Sequence, residues 1–207
     1  QTAMYGYKKL YMDLLLREED SFKVFILAPN HTEYVSGAVI PDYDYFRTPL
    51  GDVKVNSTKV NAKISNSAHK EEHAIEVQLP FLQYVFEKAG KEFTIIPIIV
   101  GEINDEQASE IARAIQKEMD ENVIIIVSSD LSHYKPQKEA EETDHRTIHK
   151  ILDNNLTTPI DACGRYPIAV LEELSKLNSW EKPELLLYST SGDVTMDKKS
   201  VVGYAAI

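Results

Sequence analysis

Four stretches hold most of the side chains able to do chemistry. His31 closes Ala28-Pro29-Asn30-His31, and His73 follows Glu72 at the head of a helix-like run. Asp130 and His133 lie in Ser128-Ser129-Asp130-Leu131-Ser132-His133-Tyr134. Cys163 is the single cysteine, in Asp161-Ala162-Cys163-Gly164-Arg165. Imidazoles gathered with a carboxylate or a thiolate can hold iron, copper or zinc. Alternatively, Asp130, three residues before His133, can orient that ring as a general base. Cys163 sits early in an expected helix, where free amides and the charge of Arg165 favour a thiolate. The ordinary fates are a hydrogen-bonded structural histidine and an inert buried thiol. On spacing alone only His31 and Cys163 stand out as ligands, too few for a tight structural zinc site. His69 and His149 read as solvent-facing. His145 diverges from its neighbour Asp144, because adjacent helix residues point apart.

These groups need elements to position them. Val123 to Val127 are five consecutive β-branched residues, which reads as a central strand buried on both faces. Phe25-Ile26-Leu27-Ala28 has the same form. Each run spills into polar residues and a histidine, and in an open α/β sheet such positions fall in the ligand crevice. Elsewhere the spacing predicts helices over 2–17, 105–119 and 138–152, and a short one from 56 to 65. The run from Glu71 should be helical to Ala89, stopped by Gly90 and bent or divided at Pro80. A strand over 93–100 contains Pro97, which implies an edge or bulge. Thr158-Pro159 reads as the cap and first position of a helix running to 177. Segments 38–47 and 50–55 should pair as an excursion carrying aromatic residues. Strands near 23–28, 94–100, 123–128, 185–190 and 201–206 are expected to share one sheet. The alternation predicts one three-layer α/β domain over 1–207 with a mixed central sheet.

Composition narrows the function classes. With 33 acidic against 22 basic side chains the formal net charge is −11, which argues against binding a nucleic-acid backbone. No apolar run is long enough to span a membrane, and the sparse cysteine usage suits a cytoplasmic protein. No phosphate-cradling glycine loop of the Walker or dinucleotide type is present. The chain begins at Gln1, and Thr2-Ala3-Met4-Tyr5-Gly6-Tyr7 reads as the middle of an element. Residues upstream are therefore expected.

The motifs in order resemble the Memo family, whose prokaryotic members are called AmmeMemoRadiSam system protein B. The resemblance rests on Ala28–His31, Glu72–Leu82, Ser128–Tyr134, Cys163–Ile168 and Gly203-Tyr204, and so spans nearly the whole chain. It implies a fold like that of the class III extradiol ring-cleaving dioxygenases. It also implies a metal cleft of two histidines and a cysteine, His31 and Cys163 being two of the three. The other histidine belongs to a Pro-His-Ala-Gly-Tyr motif that would precede Gln1, together with a strand. The resemblance places His73, Asp130 and His133 in the polar pocket as catalytic residues, His133 being base-like. The implied metal is iron or copper ahead of zinc. The implied partners are a small-molecule or peptide ligand and a functional link to a radical-SAM protein. Activity stays open between a metal-associated protein, a non-haem iron or copper oxidoreductase, and a binding module with a vestigial site.

Overall fold

The computed structural model of the protein describes residues 2–156 and 158–207; Gln1 and Thr157 lie outside the described residues. Helix α1 (Ala3–Leu16) leads into strand β1 (Ser21–Ala28). An excursion follows with β2 (Ala38–Ile40), β3 (Tyr45–Thr48), β4 (Gly51–Lys54) and β5 (Lys63–Ile64). Helices α2 (Asn66–Lys70), α3 (His73–Glu76) and α4 (Leu79–Ala89) precede β6 (Glu92–Val100). Then come α5 (Asp105–Gln116), β7 (Val123–Val127), β8 (His133–Lys135), α6 (Gln137–Leu152) and α7 (Arg165–Asn178). The chain closes with β9 (Leu187–Thr190), α8 (Gly192–Thr195) and β10 (Val201–Ala206).

The main sheet has five strands in the order β5-β2-β6-β1-β7. β1 runs parallel to β6 and β7, whereas β2 is antiparallel to β6, so the sheet is mixed. Alternation along β1 feeds two cores. Val24, Ile26 and Ala28 join Leu14 of α1 and Leu82 and Phe86 of α4. Phe25 and Leu27 instead join Ala112 and Ile115 of α5 and Val170 and Leu174 of α7. Each large side chain fully buried this way stabilises the fold by about 1.5–3 kcal/mol relative to exposure. The result is a single α/β domain with a mixed central sheet.

Several boundaries follow the expected chemistry. Gly90 ends α4 in the left-handed region at φ 68°, and Pro80 sits in the first turn of α4, dividing it from α3. The edge or bulge expected at Pro97 is corrected: β6 lies between β2 and β1 in unbroken register with β1, and Pro97 falls between the bridge from Val55 to Ile95 and the pairing of Val39 with Ile99. Its missing N–H therefore costs no ladder bond. The hairpin β3–β4 forms within the excursion.

Other expectations are corrected. β7 is an edge strand rather than a central one, and its last four residues are only half-buried. A run of β-branched residues specifies extension and apolar surroundings but not rank within a sheet. The last two long strands do not enter the main sheet. β10 lies between β8 and β9 in a separate antiparallel sheet of three, so it pairs with the distant β8 as well as with its chain neighbour β9. Residues 38–40 join the main sheet and not the hairpin. Residues 56–65 form no helix; Ser65 instead caps α2 by accepting from the Ala68 N–H at 3.3 Å. Finally, α7 starts at Arg165 and not at Pro159, because the Cys163 N–H is drawn to the Asp130 carbonyl at 3.2 Å.

Candidate functional site

Parallel pairing of β1 with β7 brings two polar loops together. Leu27 faces Val127 in register, and the Ser128 N–H donates to the Leu27 carbonyl at 2.9 Å. Both strands therefore end at one level, and Pro29–His31 and Ser128–Asp130 leave the same sheet edge. A cleft of about 580 Å³ opens there, walled by His31, His73, Gln78, Ser128, Asp130 and Cys163. That volume falls in the range of small-molecule sites.

On the cleft wall His31 and His73 form a group of candidate ligands with the buried Glu72 behind them. One donor atom from each lies within 4.8 Å of the others, a set capable of holding a metal ion. The Glu72 side chain is fully buried. Its Oε2 accepts from the His31 backbone N–H at 2.7 Å. Its Oε1 is 3.0 Å from His31 Nδ1 and accepts from the Ala74 N–H at 3.0 Å, which caps α3. His73 Nδ1 lies 3.5 Å from the same oxygen. Burial pushes the Glu72 carboxyl up, but hydrogen bonds from the His31 ring and the Ala74 and His31 amides outweigh it. The net result is a carboxyl held below its ordinary range.

The expected two-histidine, one-cysteine ligand set is corrected by this geometry. Cys163 lies on the cleft wall but outside the cluster, whose third member is Glu72. The Cys163 sulfur accepts from the Asp130 N–H at 3.1 Å and sits 3.7 Å from the Ser129 hydroxyl. The following glycine explains the close fit. A Cβ on Gly164 would come 2.5 Å from the Ser129 Cβ, and the Gly164 N–H donates to the Ser129 hydroxyl at 2.9 Å. The thiolate expectation is corrected too. Cys163 precedes the first turn of α7, and the Arg165 guanidinium turns instead to the Tyr166 ring, 4.6 Å from its centroid. Burial pushes the thiol up, and the nearby Asp130 charge adds to it against the hydrogen bonds.

Asp130 lines the cleft, and its Oδ2 lies 3.7 Å from His133 Nε2. His133 stands on β8, beside the cleft rather than in its wall. His69 is buried, not solvent-facing, and its Nε2 is 3.4 Å from the Val39 carbonyl. His145 lies at 2.6 Å from its own helix carbonyl at Glu141, away from the site.

Two contributors were not singled out from the sequence. Glu72 was legible only as part of a motif, although a carboxylate just before a helix-starting histidine is a capping signal. Gln78 belongs to a relay in which Tyr7 donates to its Oε1 at 2.6 Å and its Nε2 donates to the Ser128 hydroxyl at 2.7 Å. Burial raises the Tyr7 phenol well above its ordinary value, keeping it a donor. No local pattern links residues 7, 78 and 128.

Comparison with known proteins places the chain in a family. The family model described as Memo-like protein matches residues 1–207. A MEMO1 family protein of Methanococcoides burtonii is 40% identical over 210 residues, covering 93% of this chain and 76% of the relative. Another, of Methanocaldococcus jannaschii, is 38% identical over 202 residues, covering 88% and 70%. A third, of Methanopyrus kandleri, is 36% identical over 203 residues, covering 89% and 71%. The chain belongs to the Memo family.

Proposed function

We propose that the protein binds a transition-metal ion at the His31/Glu72/His73 cluster, the two imidazoles facing the ion and Glu72 holding His31 from behind, and uses the adjoining cleft to seat a small ligand. The observation that carries this is the clustering within 4.8 Å of two imidazoles and a carboxylate, His31 from the loop after β1 and Glu72 and His73 from the start of α3. Imidazole nitrogens suit iron, copper and zinc, with the remaining positions open to water or a ligand in the cleft; iron or copper is preferred within this reading. A bound ion would supply Lewis-acid or redox chemistry to a ligand in the cleft. Asp130 and His133 form the pair suited to moving a proton at its rim. His73, with an exposed ring, faces the same space. A dioxygenase-like architecture is part of the proposal, supported by the strand-end position of the cleft. No described helix is long and apolar enough to cross a membrane.

The test is elemental analysis of protein purified without chelator, before and after dialysis against iron, copper or zinc. About one equivalent retained by the wild type, and lost in His31→Ala, supports the reading. Equal retention by both proteins rules it out.

A further inference from the structure

Within the cluster, the three residues are not equivalent. Glu72 is fully buried and both oxygens are engaged: Oε2 by the His31 amide at 2.7 Å, Oε1 by the Ala74 amide at 3.0 Å and the His31 ring at 3.0 Å. Backbone amides can only donate, so two fixed donors already point at this carboxylate. A carboxylate so placed accepts, and the third partner, His31 Nδ1, must then carry a hydrogen. A neutral imidazole has one N–H and one lone pair, so the lone pair of His31 lies on Nε2. Glu72 also fixes where the ring starts, since it grips the backbone of the residue whose side chain it orients. By contrast, His73 Nδ1 is 3.5 Å from Oε1, beyond a good hydrogen bond to an oxygen that already has two donors. The His73 ring is more exposed and stacks on His31 with centroids 5.1 Å apart. Its tautomer is left unset.

We propose that Glu72 is a positioning residue that holds His31 as the Nδ1–H tautomer, so that His31 offers Nε2 to a cation while Glu72 acts through the ring. Carboxylates behind metal-binding histidines commonly fix the tautomer and raise the basicity of the free nitrogen. The function assigned to the tautomer rests on the metal reading above, but the tautomer does not need metal to be observed.

The test uses the full chain labelled with 15N-histidine, without metal, at about pH 8, above the ordinary imidazole range. Long-range 1H–15N correlation should show His31 Nδ1 as a protonated, pyrrole-type nitrogen and Nε2 as an unprotonated, pyridine-type one. In Glu72→Gln the amide can donate as well as accept, so both shifts should move toward a tautomer mixture. Co(II) titration of the same proteins should show affinity falling by about 10–100-fold in Glu72→Gln. His31→Ala assigns the signals, and His73→Ala should leave the His31 shifts in place. An Nε2–H tautomer in the wild type overturns the proposal, as do His31 shifts unmoved by Glu72→Gln in a folded protein. If the tautomer is fixed but the wild type takes up no Co(II), the positioning role of Glu72 stands and the metal reading falls.

Discussion

The His31 and His73 rings stack with centroids 5.1 Å apart at an interplanar angle of 23°, and both Nδ1 atoms approach the same Glu72 oxygen. The partners differ in what they hold in place. Glu72 is fully buried and takes three N–H donors, whereas His73 is exposed. Glu72→Ala should destabilise the fold by about 1–3 kcal/mol, because buried donors lose their acceptor. His73→Ala should stay within about 0.5 kcal/mol of wild type. Urea unfolding measures both, and equal effects would contradict the asymmetry.

Acid sensitivity should centre on His69. Burial pushes its imidazole down to about 4, outweighing the Val39 carbonyl and the Glu72 charge. The unfolded chain binds this proton near the ordinary histidine value of about 6.5. The neutral ring's contribution is thus fully present above that value and is lost as pH falls from about 6.5 to 4, a loss of up to about 3 kcal/mol. Urea midpoints across this range should fall with pH in the wild type and fall less steeply in His69→Leu. Parallel slopes would exclude His69 as the cause.

Gly203 is the point where β10 crosses a buried carboxylate. A Cβ there would lie 1.9 Å from Asp144 Oδ2, an oxygen that accepts from the Tyr188 hydroxyl at 2.8 Å, while Oδ1 accepts from the Ser132 N–H at 2.9 Å. Gly203→Ala must displace Asp144 and with it the loop leading to His133. The expected cost is about 3 kcal/mol or more, a large value for one methyl group. Thermal unfolding checks it, and a loss below about 1 kcal/mol would show that the close approach relaxes easily.

The Cys163 thiol should be sluggish. Burial raises its pKa, so less thiolate is present at neutral pH than on an unfolded chain. Alkylation by iodoacetamide in the folded protein should be slower than in urea and should accelerate as the pH is raised into the alkaline range. A folded-state rate at neutral pH exceeding the unfolded rate would reverse this account.

Legibility from sequence followed the range of each interaction. The strands Ser21–Ala28 and Glu92–Val100, and helix Leu79–Ala89 with its Gly90 stop, are written in local pattern and capping residues. The edge position of Val123–Val127 and the separate sheet of His133–Lys135, Leu187–Thr190 and Val201–Ala206 depend on pairings between distant segments. The site divides the same way. The rule that polar residues beyond parallel strand ends share a crevice finds His31 and Asp130 on the cleft wall, but it also points to His133, which β8 carries beside the cleft. Glu72 was missed as a site residue because its partner His31 is 41 residues away and no periodicity joins them. His69 misled because a polar side chain in a polar stretch gives no sign of the cover that buries it.

The central claim, a metal ion held by the His31/Glu72/His73 cluster, is tested most directly by anaerobic calorimetric titration of Fe(II) or Co(II) into wild type, His31→Ala, His73→Ala and the double variant. The cluster predicts one site per chain in the wild type. Each single variant should lose at least about 100-fold in affinity, beyond the roughly 10–100-fold loss typical of groups behind the ligands, and the double variant should show no site. A double variant that binds one equivalent with wild-type affinity would contradict the account.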